Sequence, residues 1–261
     1  MTSCNICQSS MAYVFSEKLL NKYTVTYHQC NECGLLQTES PYWLDEAYSE
    51  AIAIADTGIV LRNFSISSKL AGLLYFVFDA KDNYIDVAGG YGILTRIMRD
   101  FGFNFYWSDK YCNNLLARGF EANTLNKPVL ALTAFEVLEH VHNPVEFISS
   151  TMSDFGARTL IFTTQTFSNQ VPDKDWWYYA FNTGQHISFY QIKTLKIIAE
   201  KLGLNFYSAN GFHIITDKHL NLTKLKLLTS PLAFFISIFL KLKMNSKTLS
   251  DHHSLMRKMN K

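Results

Sequence analysis

Four cysteines near the start of the chain fall into two pairs, Cys4 with Cys7 and Cys30 with Cys33, each Cys-x-x-Cys, with 22 residues between the pairs. Two such knuckles place four thiolates at the corners of a tetrahedron, the arrangement that structural zinc takes, and leave no open position for chemistry. A closed site of this kind acts through folding, because it stabilises about 40 residues that are too few to build a core of their own. A pair of disulfides is the competing reading, and it is disfavoured where thiols stay reduced. Cys112, in "DKYCNN", stands alone and reads as a packing residue.

A second constellation lies in "YIDVAGGYGILTRIMRD", residues 84–100, where Asp86 is followed by Ala88, Gly89, Gly90, Tyr91 and Gly92. Bare backbone between a strand and a helix lets a ligand lie against the main chain, and the first N–H groups of the helix face it. A small-molecule cofactor is therefore expected here. The dinucleotide spacing Gly-x-Gly-x-x-Gly does not fit residues 88–93.

Around these groups the sequence reads as a regular α/β chain. "MAYVFSE" and "KYTVTYHQC" are short strands by their β-branched and aromatic content, and Gly34 relieves the turn after Cys33, which makes a zinc ribbon. "PYWLDEAYSEAIAIADTG" and "IVLRNFSISSKLAGLLYFVFDA" have apolar residues at helical spacing. Then strands alternate with helices: "NYIDVA", "GILTRIMRDFG", "FNFYWSD", a short helix "NNLLARG", "VLALTAF", a helix from Pro144 through Phe155, and "ARTLIFTTQ". Such alternation requires right-handed crossovers and a doubly wound, mostly parallel sheet. "QIKTLKIIAEKLGL" adds an amphipathic helix, and "NFYSA" with "FHIIT" an antiparallel pair. Ligands of such sheets bind beyond the carboxyl ends of the strands, where Asp86 to Gly92, Asp109 and Phe135 to His140 are expected to converge.

A formal charge of +2 with 18% charged residues gives no electrostatic signature for nucleic acid or an acidic partner. The start, "MTSCNICQSS", has no basic leader or apolar run, so the cytoplasm is the expected location. "LLTSPLAFFISIFLKLKM" contains Pro231 and is too short to span a bilayer. It reads as a buried or interface helix, with peripheral membrane contact as the alternative.

The turn resembles the first motif of the class I S-adenosylmethionine-dependent methyltransferases, acid-x-Gly-x-Gly-x-Gly, through Asp86, Ala88, Gly90 and Gly92, with Ala88 in place of the first glycine. "TAFEVLEHVHNP" is similar to the fourth-strand motif of that family, and "GQHISFYQIKTLKIIAEKLGL" to its late His-containing segment. With a zinc ribbon in front, the chain resembles the methyltransferases of sugar and cell-surface polysaccharide pathways. The resemblance implies a seven-stranded Rossmann-like sheet, with a zinc ribbon over 1–40, a helical lead-in over 41–82, an S-adenosylmethionine-binding domain over 83–216 and a helical extension over 217–261. The sugar C-methyltransferases carry a further domain not seen in this sequence, which brings O-methyl transfer level with C-methyl transfer.

It also implies roles. Asp86 orients the turn or holds the methionine amino group; Gly89, Gly90 and Gly92 support the cofactor; Tyr91 flanks its methionine end. Asp109 accepts from the ribose hydroxyls, Phe120 and Glu121 contact the adenine, and Phe135 and Glu136 complete the cofactor-binding set. His186 is the first candidate for the base, since an imidazole titrates near neutrality, and His140 the second. Glu136, Glu139 and His140 resemble the divalent-metal ligands of the ubiquinone-pathway O-methyltransferases, while a purely structural role at a strand-to-helix corner is the alternative for His140. The run Trp176, Trp177, Tyr178 and Tyr179 either stacks on a sugar ring or packs a core. Two other functions stay in view. One is an RNA methyltransferase with a zinc-ribbon recognition module, opposed by the lack of a dense Lys/Arg block before the C-terminal fifth. The other is a non-catalytic zinc-ribbon binding module.

Overall fold

The structure, a computed structural model, describes residues 3–49 and 56–260. In chain order its elements are β1 (Met11–Leu19), β2 (Tyr23–Cys30), β3 (Leu36–Thr38), α1 (Leu44–Ala47), α2 (Ile59–Phe76), β4 (Asn83–Val87), α3 (Ile93–Asp100), β5 (Asn104–Ser108), β6 (Ala131–Phe135), α4 (Pro144–Phe155), β7 (Thr159–Thr163), β8 (Ser188–Phe189), α5 (Ile192–Lys201), β9 (Asn205–Ala209), β10 (Phe212–Thr216), α6 (Leu222–Leu228), α7 (Ala233–Lys243) and α8 (Thr248–Met259). They divide between two compact units. One gathers Met1–Ala53, Phe135–Asp154 and Leu160–Lys218; the other gathers Ile54–Ala134, Phe155–Thr159 and His219–Lys261. Part of the first helical stretch expected after residue 41 lies outside the described residues; α1 is its described portion.

In the first unit the cysteine-bearing hairpin β1–β2 closes through Leu20 and Asn21, both with positive φ, and extends into an antiparallel sheet ordered β1-β2-β3-β8. The inclusion of β8 was not legible in the sequence: Leu36 pairs with Phe189 and Gln37 with Ser188. Aromatic rings fill the layer behind this sheet. Phe15 stacks on Tyr27 at 4.5 Å, and Tyr27, Tyr178, Tyr179 and Phe189 are essentially solvent-free. The aromatic run therefore packs a core through Trp176, Tyr178 and Tyr179, and Trp177 alone, 73% exposed, faces solvent. The unit's remaining strands run in the order β7-β10-β9, with β9 and β10 joined by Asn210–Gly211, both left-handed, as a two-residue antiparallel hairpin requires. Helix α4 opens on Pro144, whose missing N–H is no loss at a first helical position.

In the second unit β4 lies between β5 and β6 and pairs with both in parallel. The expected helix over 113–119 does not form. The Tyr91 carbonyl takes the N–H groups of both Leu115 and Leu116, the Asn114 side chain takes that of Ala117, and no helical ladder is left. Trp107 of β5 also forms a single parallel bridge with Glu121, just before a one-turn 3-10 helix at Ala122–Thr124. Among the described residues this strand order contains six members where seven were expected. Helix α2 buries Ile66, Leu70, Leu73 and Leu74, one stripe at helical spacing.

The apolar stretch near the end is broken at Pro231 into α6 and α7, which meet at 82°. No single helix among the described residues is long and apolar enough to cross a membrane. The expectation of a buried helix holds for one stripe only: Ala233, Ser237 and Leu240 are covered, and Phe234, Phe235 and Phe239 are open. Helix α8 is fixed by charge. Asp251 accepts from Arg99 Nε at 2.7 Å, Arg99 Nη2 at 2.6 Å and Arg96 Nη2 at 2.9 Å, while the Arg99 guanidinium lies 3.6 Å above the Phe120 ring. Burial would raise the Asp251 carboxyl, but the two guanidiniums outweigh it and hold the group below its usual value. Asp251→Ala leaves the Arg99 charge buried without its partner and is expected to cost about 3–5 kcal/mol in denaturant unfolding. A loss below about 1 kcal/mol would show that α8 does not depend on this clamp.

Candidate cofactor turn and histidine site

The turn after β4 belongs to the second unit. Asp86 ends the strand 3% exposed, with Oδ1 accepting from Thr133 Oγ1 at 2.8 Å; burial, with the nearby Asp109 charge a smaller contribution, pushes its carboxyl up to about 7. Ala88 follows in the left-handed region at φ 54°. A methyl group thus occupies the position of the motif's first glycine at the cost of local strain, not of a changed turn. Gly92 has no such latitude: φ is 86°, and a Cβ there would sit 3.0 Å from the Ala117 Cβ and 3.1 Å from its backbone N.

The second acid, Asp109, directly follows β5. Asp109 Oδ2 accepts from the Gly90 N–H at 2.9 Å, and Oδ1 from the N–H groups of Tyr111 and Cys112 at 2.7 and 2.8 Å. Trp107 Nε1 donates to the Gly90 carbonyl at 2.8 Å, a support that no motif announced. Glu121 accepts from Asn114 Nδ2 and the Gly119 N–H, and Tyr91 stands at the surface. Phe120 is 8% exposed and committed to Arg99. The three glycine N–H groups of the turn are themselves engaged, Gly89 with the Ser108 carbonyl, Gly90 with Asp109 and Gly92 with the Gly89 carbonyl, so the turn is held in shape by its own hydrogen bonds.

The first unit holds the histidines. His140 Nδ1 lies 3.0 Å from the Gln185 carbonyl and 2.8 Å from the Tyr48 hydroxyl; His186 Nδ1 lies 2.6 Å from the Tyr178 carbonyl. A carbonyl only accepts, so each ring carries its proton on Nδ1 and keeps Nε2 as a bare lone pair. The rings meet edge to face at 4.8 Å. Burial drives both imidazoles down, His186 to about 4 and His140 to about 3, which keeps them neutral at physiological pH.

Glu139 is fully buried, and among the described residues neither of its oxygens has a hydrogen-bond partner. Burial, with Glu136 as a lesser cause, pushes it up to about 8. Its carboxylate and one nitrogen from each histidine lie within 4.8 Å of one another, a set that can hold a divalent ion. Glu136 stands outside that set. It is left-handed at φ 53° and accepts from Thr163 Oγ1 at 2.6 Å, so the grouping keeps Glu139 and His140 and substitutes His186 for Glu136. Phe135 lies 5.6 Å from the Phe212 ring. Tyr48 and Gln185 escaped the sequence reading because nothing local marks them; they reach His140 only through α1 and the loop before β8.

The four ribbon cysteines also meet. Cys4 Sγ is 3.4 Å from Cys33 Sγ, Cys7 Sγ is 3.4 Å from Cys30 Sγ, and all four sulfurs lie within 4.8 Å of one another. These separations are far above a disulfide bond and close to the about 3.8 Å edge of a tetrahedron built on about 2.3 Å metal–sulfur bonds. The two knuckles are alike: Gln8 N–H donates to the Cys4 carbonyl and Gly34 N–H to the Cys30 carbonyl, each at 2.9 Å and each from a left-handed residue. A hydrogen bond from Cys33 holds the Cys4 thiol down at about 5, so the cluster already favours a thiolate.

A family model described as "Methyltransferase domain" matches residues 62–209. No curated protein matches the chain. Solved structures similar to it include that of TnmH, at 16% identity and TM-score 0.45, covering 67% of this chain and 60% of that one. Another is magnesium protoporphyrin IX methyltransferase (ChlM) from Synechocystis PCC 6803 with bound SAH, at 14% identity and TM-score 0.41, covering 66% of this chain and 90% of that one. A third is the mitomycin 7-O-methyltransferase MmcR, at 12% identity and TM-score 0.40, covering 68% and 60%. The chain thus spans less than two thirds of the length of TnmH and of MmcR. The family match takes in more than half of the sequence, including the glycine turn and both histidines, and by it this α/β chain belongs to the methyltransferase-domain family.

Proposed function

We propose that this methyltransferase takes its methyl group from S-adenosylmethionine and delivers it to a hydroxyl of a sugar or nucleotide-linked sugar in cell-surface polysaccharide synthesis. The observation that carries the cofactor reading is the hydrogen bond from the Gly90 N–H to Asp109 Oδ2, which joins the glycine turn to the acid ending the next strand. Those two elements are the ones a nucleoside with free ribose hydroxyls needs. The order of a ribbon before a methyltransferase domain supports the saccharide acceptor.

Methyl transfer is an in-line displacement: the acceptor oxygen forms a bond to the methyl carbon, the carbon–sulfur bond breaks, S-adenosylhomocysteine leaves, and the acceptor proton must go to a base. His186 suits that role, because the Tyr178 carbonyl fixes its tautomer and Nε2 is free to take a proton. The unpartnered Glu139 favours a second reading for the same side chains, in which Glu139, His140 and His186 hold a divalent ion. Such an ion would supply Lewis acidity toward the acceptor hydroxyl.

Calorimetry with S-adenosylmethionine is expected to show binding, weakened about 10- to 100-fold in Asp109→Ala through loss of a charged hydrogen-bond acceptor. A folded protein that does not bind the cofactor would overturn the reading. His186→Ala should keep cofactor binding and lose about 10²–10⁴ in turnover. As a base it must be deprotonated, so the wild-type rate should fall on the acid side near pH 4 and not near 6.5. A mild chelator separates the two readings: turnover lost and restored by added Mn2+ assigns the histidines to an ion, and unchanged turnover leaves His186 as the base. Cys30→Ser should release one zinc per chain in metal analysis and melt the ribbon; a wild type without zinc would refute the tetrahedral assignment.

A further inference from the structure

We propose that α7 docks the protein on an anionic membrane surface, lying in the plane of the interface with its open face in the lipid. Two independent observations converge on this occupant. The first is the helix itself. Its stripe of Ala233, Ser237 and Leu240 faces the second unit, with Ile236 packed toward α2 at Gly72, while Phe234, Phe235, Ile238, Phe239 and Leu242 all point outward, Phe235 68% and Leu242 85% exposed. At about 100° per residue these five cover an arc of about 140°, with Lys241 about 20° beyond one margin and Lys243 about 40° beyond the other. Lys243 Nζ lies between the Phe239 ring at 5.7 Å and the Tyr75 ring at 5.5 Å, and Lys241 Nζ lies 4.9 Å from the Phe101 ring, so both charges stand where the open face meets the unit. Lysines at both margins of an apolar arc let the stems lie in lipid and the ammonium groups reach headgroups.

The second observation is charge. Residues 218–261 contain nine lysines and arginines against one aspartate, +8, whereas the whole chain is +2; residues 1–217 therefore sum to −6. A basic segment around an open apolar face complements an anionic bilayer. It opposes the simplest alternative, since a second copy placed face to face would bring +8 against +8. Helix α7 by itself does not span, because 11 residues of helix reach about 16 Å against a hydrocarbon layer of about 30 Å, and α6 leaves at 82°.

The test is co-sedimentation of the full chain with vesicles of phosphatidylcholine alone and of phosphatidylcholine mixed with an equal amount of phosphatidylglycerol. Binding is expected to the mixed vesicles, to weaken with salt, and to fall at least about tenfold in the F235S/F239S variant. Lys241→Gln and Lys243→Gln should each cost about fivefold on anionic vesicles and little on neutral ones. F235W, which keeps the apolar face, should shift its emission to the blue on the mixed vesicles and so reports docking even if the polar variants fold poorly. Absence of binding to phosphatidylglycerol, or binding that survives in a folded F235S/F239S protein, would overturn the proposal. So would a dimer in ultracentrifugation that dissociates on F235S/F239S while vesicles bind neither form. None of these readouts needs the methyl acceptor or the cofactor, so the outcome is separate from that of the methyl-transfer assays.

Discussion

The site in the first unit depends on one short backbone pairing, that of β3 with β8. Leu36 and Gln37 hydrogen-bond across to Phe189 and Ser188, and all four are buried. On one side of the pairing stands the cysteine cluster, three residues before Leu36; on the other stands His186, two residues before Ser188. Polar side chains lock the arrangement: Gln37 Nε2 donates to the His142 carbonyl at 2.7 Å and to Ser188 Oγ at 2.9 Å, and Ser188 Oγ donates to the Val141 carbonyl at 2.7 Å. Thr194 Oγ1 closes the loop with a bond to the Cys33 carbonyl at 2.7 Å. Buried donors with fixed acceptors are costly to displace, so these bonds tie the cysteine-bearing hairpin to the histidine segment. In this chain the ribbon is a wall of the histidine site more than an appendage.

The same logic explains why the histidines are neutral. The chain sets each Nδ1–H on a backbone carbonyl and removes water from around the rings, and desolvation then disfavours the charged form. Glu139 is driven in the opposite sense by the same burial. A neutral imidazole pair beside a carboxyl group that resists ionisation is unfavourable as mere packing, since two orphaned acceptors stay unsatisfied. Structures keep such groups where something else, a proton or a cation, completes them.

What could be read in the sequence was whatever is encoded locally. The cysteine spacing announced the cluster, Pro144 the start of α4, and the glycines around residues 89–92 the turn after β4, because each depends on neighbours along the chain. Ala88 shows the same locality: an alanine held left-handed keeps the turn's path where the motif has glycine. What failed were features settled by distant partners. Residues 113–119 have helical composition, but their N–H groups are claimed by Tyr91 and by the Asn114 side chain. Tyr48 reaches His140 across 92 residues of chain, and no spacing rule could have named it.

The second unit poses the complementary case, an element whose sequence pattern is clear and whose packing disagrees with it. Helix α7 is apolar around most of its circumference, a composition that ordinarily means burial on all sides. Yet the unit covers it along one stripe, and a serine, Ser237, sits on that covered side while three phenylalanines face outward. Simple core formation would have put the phenylalanines inward and the serine out, since each buried aromatic ring contributes about 1.5–3 kcal/mol. The clamp of Arg99 on Asp251 fixes α8 independently of α7, so the outward rings are not needed to hold the chain's end in place. Their orientation therefore answers to something outside the unit. Lys241 and Lys243 at the margins of the arc suit the occupant proposed above, a surface apolar within and anionic at its edge.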